Sequence, residues 1–270
     1  MKLLRGKKIA DRILAEIKTD IRKKKLKPIL AVVLVGEDKA SQIYVTLKGK
    51  AAKKVGIGFQ LHKFSENSAE TEIIKKIKML NADREVDGII VQLPLPKKMN
   101  TQKIINALDP QKDVDGFSPK STSHPVFPKA ILKVLESVET RFIVSKKSSI
   151  VIANSNKFGQ TMVAALQQEK IKGEYILAGS LQKNIKKIQK ADIIISAMGK
   201  PGLIKGNMLK KGAIIIDGGI TKIGKKVLGD VDMESVKKVA AFVTPVPGGV
   251  GPVTIACLLE NVYLAAKKQA

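Results

Sequence analysis

The chain has 270 residues, of which 44% are hydrophobic, enough for one large or two moderate domains with a buried core. No stretch approaches the roughly 18 uninterrupted apolar residues of a membrane span. The single cysteine, Cys257, rules out an internal disulfide and a thiolate metal cluster. The net charge of +25 raises nucleic acid as a partner. However, the lysines are scattered in doublets along the whole chain, aromatic residues make up only 4%, and tryptophan is absent, so base-stacking platforms are scarce. The charge is read as solvated lysine on helix faces, with attraction of a polyanionic small substrate as the alternative; nucleic acid is not the expected partner.

The chain opens with MKLLRGKKIADRILAEIK, in which Asp11 and Glu16 interrupt the apolar residues. That pattern lacks a signal-peptide core and predicts an amphipathic helix from about Gly6 to Lys25 of a cytoplasmic protein. A strand follows at Ile29 to Val35, a helix at Lys39 to Val55, and a strand at Gly58 to Phe64. Next come a helix from about Ala69 to Asn81 and a strand from Gly88 to Leu93, stopped by Pro94 and Pro96. Along the helix SQIYVTLKGKAAKKV, Ile43, Leu47 and Ala51 recur every four residues and are read as the buried stripe. Tyr44 and Lys48 share the same spacing on the neighbouring face. Either they form a surface stack, or they hold a ring and a proton-transferring amine over a flat substrate. Gln92 is one amide in an otherwise apolar strand end and needs a hydrogen-bonding partner. Asp113 and Asp115, in QKDVDGF, fall in a loop expected at the same carboxyl edge, where ligands of open α/β sheets bind. Asp115 followed by Gly116 also fits a simple Asx-type turn.

Past a loop at about Asp109 to Pro128, strands are predicted at Ser149 to Ala153, Tyr175 to Ala178, Asp192 to Ala197 and Ala213 to Asp217, with helices at Gly159 to Gln168 and Leu181 to Lys190. This βαβαβ order suits a dinucleotide-binding unit, although its first turn, ANSNKFG, lacks the GxGxxG fingerprint. The segment TPVPGGVGPVTIACLLENVYLAAKK is a Pro/Gly loop feeding a long helix, with Pro252 in its first turn and Cys257 read as a small buried apolar residue. His62 and His124 lie far apart, so no metal is expected. The fold expected is α/β: two α/β domains flanking a cleft, the second Rossmann-like. The first spans residues 1–120, completed by the helix 252–270, and the second spans 121–251.

The strings VGEDKASQIYVTLKGKAAKKVGI, VDGIIVQLPLP, DPQKDVDGF and TPVPGGVGPVTIACLLENV occur in this order over most of the chain. Together with LLRGKKIA and GDVD, they closely resemble the methylenetetrahydrofolate dehydrogenase/methenyltetrahydrofolate cyclohydrolase family. The resemblance implies a bifunctional enzyme that oxidises 5,10-methylenetetrahydrofolate with NADP and hydrolyses the product to 10-formyltetrahydrofolate. It also implies a homodimer. It makes Lys48 the catalytic lysine, Tyr44 its substrate-stacking partner and Gln92 the amide that orients the lysine. Asp115 becomes the acid that holds the pterin, with Pro247, Gly248 and Gly249 also assigned to the folate. A polyglutamylated folate would suit the basic surface.

The cofactor residues implied are Ala153, Asn154, Ser155, Ser180 and Ile220. Here the chain departs from the family: ANSNKFGQT stands where GRSxxVGxP is usual, so Asn154 replaces the arginine that reads the 2′-phosphate. Ala153 adds a Cβ where a pyrophosphate would approach, and AGSLQ keeps only Ser180 of a CHSxT-like stretch. Three outcomes stay open: NADP bound differently, a preference for NAD, or a cyclohydrolase alone.

Overall fold

The structure is a computed structural model that describes residues 1–138, 147–224 and 226–269. Its strands are β1 (Lys2–Leu3), β2 (Ile29–Val35), β3 (Gly58–Phe64), β4 (Gly88–Val91), β5 (Ser148–Ala153), β6 (Lys172–Leu177), β7 (Ile193–Ala197), β8 (Ile214–Asp217), β9 (Thr221–Ile223), β10 (Lys226–Leu228) and β11 (Phe242–Val243). The α-helices are α1 (Gly6–Lys24), α2 (Lys39–Val55), α3 (Glu70–Ala82), α4 (Thr101–Ile105), α5 (Val126–Glu136), α6 (Asn156–Gln168), α7 (Ile185–Ile188), α8 (Met233–Val236) and α9 (Val250–Gln269).

The chain divides into two compact units: Ala10–Val126 with Ile255–Ala270, and Met1–Ile9 with Phe127–Thr254. The first is built on a three-stranded parallel sheet in the order β3-β2-β4. β2 is central, and Leu30 to Val33 are 0% exposed, as a strand covered on both faces requires. One face packs on Ile73 and Ile77 of α3 and Ile104 of α4. α2 starts where the Asp38 carboxylate accepts the Ser41 amide at 2.7 Å and stops at Gly56, whose φ of 89° is the left-handed conformation that ends helices. α9 is fastened into this unit by Tyr263, whose hydroxyl donates to the Asp20 carboxylate of α1 at 3.0 Å.

The buried side of α2 differs from the sequence-based expectation. Ile43 and Leu47 are 51% and 46% exposed, whereas Ser41, Val45, Gly49, Ala52 and Val55 face inward. One reason is close packing at Gly49, where a Cβ would lie 3.1 Å from the Phe59 ring, so at that point the inward face takes the smallest residue and not a large apolar one. β4 also ends two residues earlier than expected, although the Gln92 amide still bonds to Val33 O at 2.9 Å.

The second unit holds a six-stranded sheet, β1-β11-β8-β7-β5-β6, whose pairings are all parallel. Its first strand comes from Lys2–Leu3, which is why residues 1–9 group here and not with 10–126. The helix expected at 181–190 is broken into a 3₁₀ turn at Gln182–Asn184 and the single turn α7. Short pieces such as α4, α8 and the β9–β10 hairpin carry too little periodicity to be read from sequence. Among the described helices, none is long and apolar enough to cross a membrane.

Candidate active site

In the first unit, α2 and the end of β4 bring Lys48 and Gln92 together. Lys48 Nζ donates to Gln92 Oε1 at 3.0 Å, and Gln92 Nε2 donates to Leu93 O at 2.6 Å. The second bond fixes which end of the amide faces the lysine, so Gln92 offers an uncharged acceptor. Lys48 keeps only partial exposure, and burial lowers its pKa below the usual lysine value. The nearby Asp115 carboxylate acts in the opposite sense, favouring the ammonium form. Asp115 itself is raised, first by burial and then by the charge of Asp113, while Lys48 lowers it. Tyr44, one turn before Lys48, is half-buried, and loss of hydration raises its phenol pKa.

The turn that carries Asp115 is organised by its neighbour. Asp113, 0% exposed, accepts the amides of Gly116 at 3.0 Å and Ser118 at 2.8 Å, so the Asx-type bonds belong to Asp113 and not to Asp115. Gly116 has φ +72°, and a Cβ there would meet the Pro125 backbone at 2.8 Å, so the turn requires glycine. Sequence reading missed Asn261 of α9. Its amide donates to Val114 O at 2.9 Å and His124 O at 3.0 Å. A lone asparagine inside the apolar run CLLENVYLA was the available signal.

In the second unit, strand order reverses at β5: the chain passes to β6 on one side and then returns to β7 on the other. A reversal of that kind opens a crevice at the carboxyl ends of the strands, where dinucleotides bind. Asn154 and Ser155 occupy this edge, both exposed. The Ser155 hydroxyl caps α6 by accepting the Phe158 amide at 3.3 Å, and the positive end of this helix suits a pyrophosphate. Ala153 is 0% exposed, so its methyl group is not the obstruction expected from sequence, nor does it present a surface to a ligand. The strand-order reversal and the start of α6 suit a dinucleotide, while the neutral Asn154 provides no guanidinium for a 2′-phosphate. Ser180 is half-buried at the end of a 3₁₀ turn after β6, and Ile220 after β8 is 46% exposed.

Two buried carboxylates shape the loops of this unit. Asp230 accepts the Ser196 hydroxyl at 2.7 Å and the amides of Met198 at 2.6 Å and Lys200 at 2.7 Å. Asp217 accepts the amides of Gly219, Asp230 and Val231 at 2.9, 3.0 and 2.9 Å. Burial nevertheless raises the Asp217 pKa to about 6. Gly248 has φ +98°, and its carbonyl accepts the Gly6 amide at 2.9 Å. Pro247 follows a cis peptide bond, and the Gly249 carbonyl stands where a Cβ on Gly6 would be. Among the described residues, no group of three or more His, Cys, Asp or Glu side chains could hold a metal.

Comparison with known proteins places these arrangements. Residues 4–115 match the tetrahydrofolate dehydrogenase/cyclohydrolase catalytic domain, and residues 125–270 match the NAD(P)-binding domain of the same family. The bifunctional protein FolD of a Nitratiruptor species is 42% identical over 284 residues, covering 100% of this chain and 99% of that protein. The crystal structure of the bifunctional FolD methylenetetrahydrofolate dehydrogenase/cyclohydrolase from Campylobacter jejuni superposes with a TM-score of 0.93 at 36% identity, covering 100% of both chains. The Trypanosoma brucei enzyme, solved with NADP and an inhibitor, has a TM-score of 0.92 at 28% identity and covers 99% of this chain and 97% of that one.

Proposed function

Because the chain belongs to the tetrahydrofolate dehydrogenase/cyclohydrolase family, we propose that it oxidises 5,10-methylenetetrahydrofolate to the 5,10-methenyl cation and hydrolyses that cation to 10-formyltetrahydrofolate. The observation that carries the reading is the Lys48–Gln92 contact of 3.0 Å in a half-buried setting beside Asp115. Asn154, Ser155, Ser180 and Ile220 would hold NADP, which when bound would supply the hydride acceptor for the first step, the oxidation. In the second, neutral Lys48 takes a proton from water as its oxygen attacks the methenyl carbon. The ammonium then returns that proton to the departing ring nitrogen as the carbon–nitrogen bond breaks, and the remaining hydroxyl proton leaves to solvent as the formyl carbon–oxygen double bond forms. A base near neutral pH needs a lysine far below its free value of about 10.4. Burial shifts Lys48 in that direction against the opposing charge of Asp115, and the uncharged Gln92 orients the amine without holding the ammonium as a carboxylate would.

Tyr44 stacks on the pterin, Asp115 hydrogen-bonds it, and Pro247, Gly248 and Gly249 contribute to folate binding. Lys48→Met tests the assignment. Cyclohydrolase turnover is expected to vanish while folate binding stays measurable, and unchanged turnover overturns it.

A second reading rests on Asn154, whose neutral side chain favours NAD, or no dinucleotide, over NADP. Mixing 5,10-methylenetetrahydrofolate with NADP or with NAD separates the cases. Methenyl absorbance with NADP supports the first reading, absorbance with NAD alone reverses the cofactor preference, and none with either leaves a cyclohydrolase. We further assign the chain to the cytoplasm as a homodimer acting on polyglutamylated folates. The family resemblance supports the dimer, and the net charge of +25 supports the anionic tail.

A further inference from the structure

The peptide units around Asp115 are held at three successive points. The carbonyl before it, Val114 O, accepts Asn261 Nδ2 at 2.9 Å. Its own carbonyl accepts the Val126 amide at 3.2 Å. The amide after it, from Gly116, donates to Asp113 Oδ1 at 3.0 Å. Of these, the Asn261 contact comes from furthest away, 147 positions along the chain from Val114. Asn261 is 3% exposed, and its Nδ2 also reaches His124 O at 3.0 Å. One side-chain amide therefore ties together both limbs of the turn, the one entering Asp115 and the one leading to Pro125.

Packing alone does not call for an asparagine here. The neighbours Leu258, Leu259 and Val262 on α9 are buried and apolar, so an apolar residue would suit these surroundings. Burying a carboxamide is costly unless its protons are used, and here both acceptors are backbone oxygens of the Asp115 turn. The turn also has little slack, because Gly116 already lies within 2.8 Å of Pro125, measured from the place a Cβ would take. We infer that Asn261 is a positioning residue for the folate site: it fixes where the Asp115 carboxylate stands relative to Lys48. The inference rests on the proposed role of Asp115 in holding the substrate.

The test is a double-mutant cycle in the full chain, reading KM and kcat for hydrolysis of 5,10-methenyltetrahydrofolate. Asp115→Asn alone is expected to raise KM. Asn261→Leu, which keeps the branched shape with bulkier ends but removes both donors, is expected to raise KM by roughly tenfold, as the loss of two hydrogen bonds implies. The double variant should match Asp115→Asn within about twofold, because Asn261 acts only through Asp115. A purely structural role would instead multiply the two effects, and that outcome overturns the inference. An unchanged KM in Asn261→Leu overturns it as well, leaving the reading of Asp115 intact if Asp115→Asn still raises KM. No effect of Asp115→Asn overturns both. If the leucine variant does not fold, Asn261→Ser, which retains a single donor, takes its place in the cycle: an intermediate rise in KM supports the inference, and a wild-type KM ends it.

Discussion

Lys48 sits between two opposed influences, burial that drives off its proton and Asp115 that retains it. A carboxylate in a similar contest lies in the other unit. Burial raises Asp217 from 3.8 to about 6, and the three amides it accepts keep the shift from being larger. Asp217 thus binds its proton more tightly in the folded chain than in the unfolded one. Its protonated form contributes stability that is fully present below pH 3.8 and is lost as pH rises through about 6. Asp217→Asn removes this titration, so the fall in urea midpoint across that window should flatten in the variant. An unaltered slope would show that Asp217 does not titrate there. At this scale the sequence was informative wherever a residue type was unusual for its place. Tyr44, Lys48 and Gln92 stood out by spacing or polarity, and Lys48 meets Gln92 in the structure. Asn261 was less visible, because its purpose depends on a loop far away in the chain.

Among the elements, α2 shows what residue size does to a pattern. Reading large apolar residues as the buried face selects Ile43 and Leu47, yet the helix presses on the sheet through Gly49 and Ala52. A periodicity argument weights hydrophobicity, whereas close approach of a helix to a strand selects small side chains. The two faces should therefore respond oppositely to substitution. Leu47→Lys is expected to alter stability by no more than about 0.5 kcal/mol, since it exchanges one exposed side chain for another. Ala52→Leu, at 0% exposure, should cost about 1–3 kcal/mol by overpacking. Urea denaturation measures both, and a reversed ranking would restore the face first read from the sequence. The long strands and helices were legible because their patterns are strong. β2, α2 and β3 have the expected ends, while β1 and β11, two residues each, exist only through pairing with one another and with β8.

At the scale of the whole molecule, +25 is the dominant property, and lysines are spread over both units. Spread charge of this kind attracts any polyanion at long range, and salt weakens the attraction as the screening length falls to about 8 Å at physiological ionic strength. Folates with longer glutamate tails should bind more tightly than the monoglutamate at low salt, with the advantage shrinking as salt is added. Equal affinities at low salt would remove the tail from the account. The division into two units was only partly legible, because the sequence shows no sign that residues 1–9 belong with the strands that follow residue 127.

Neither unit is a continuous length of chain: β1 pairs with a strand some 240 residues later, and the turn bearing Asp115 is tied to α9. Each unit is completed only when segments far apart in sequence meet, so contacts of long sequence separation enter its assembly and folding is expected to be slower than for a helical bundle of similar size.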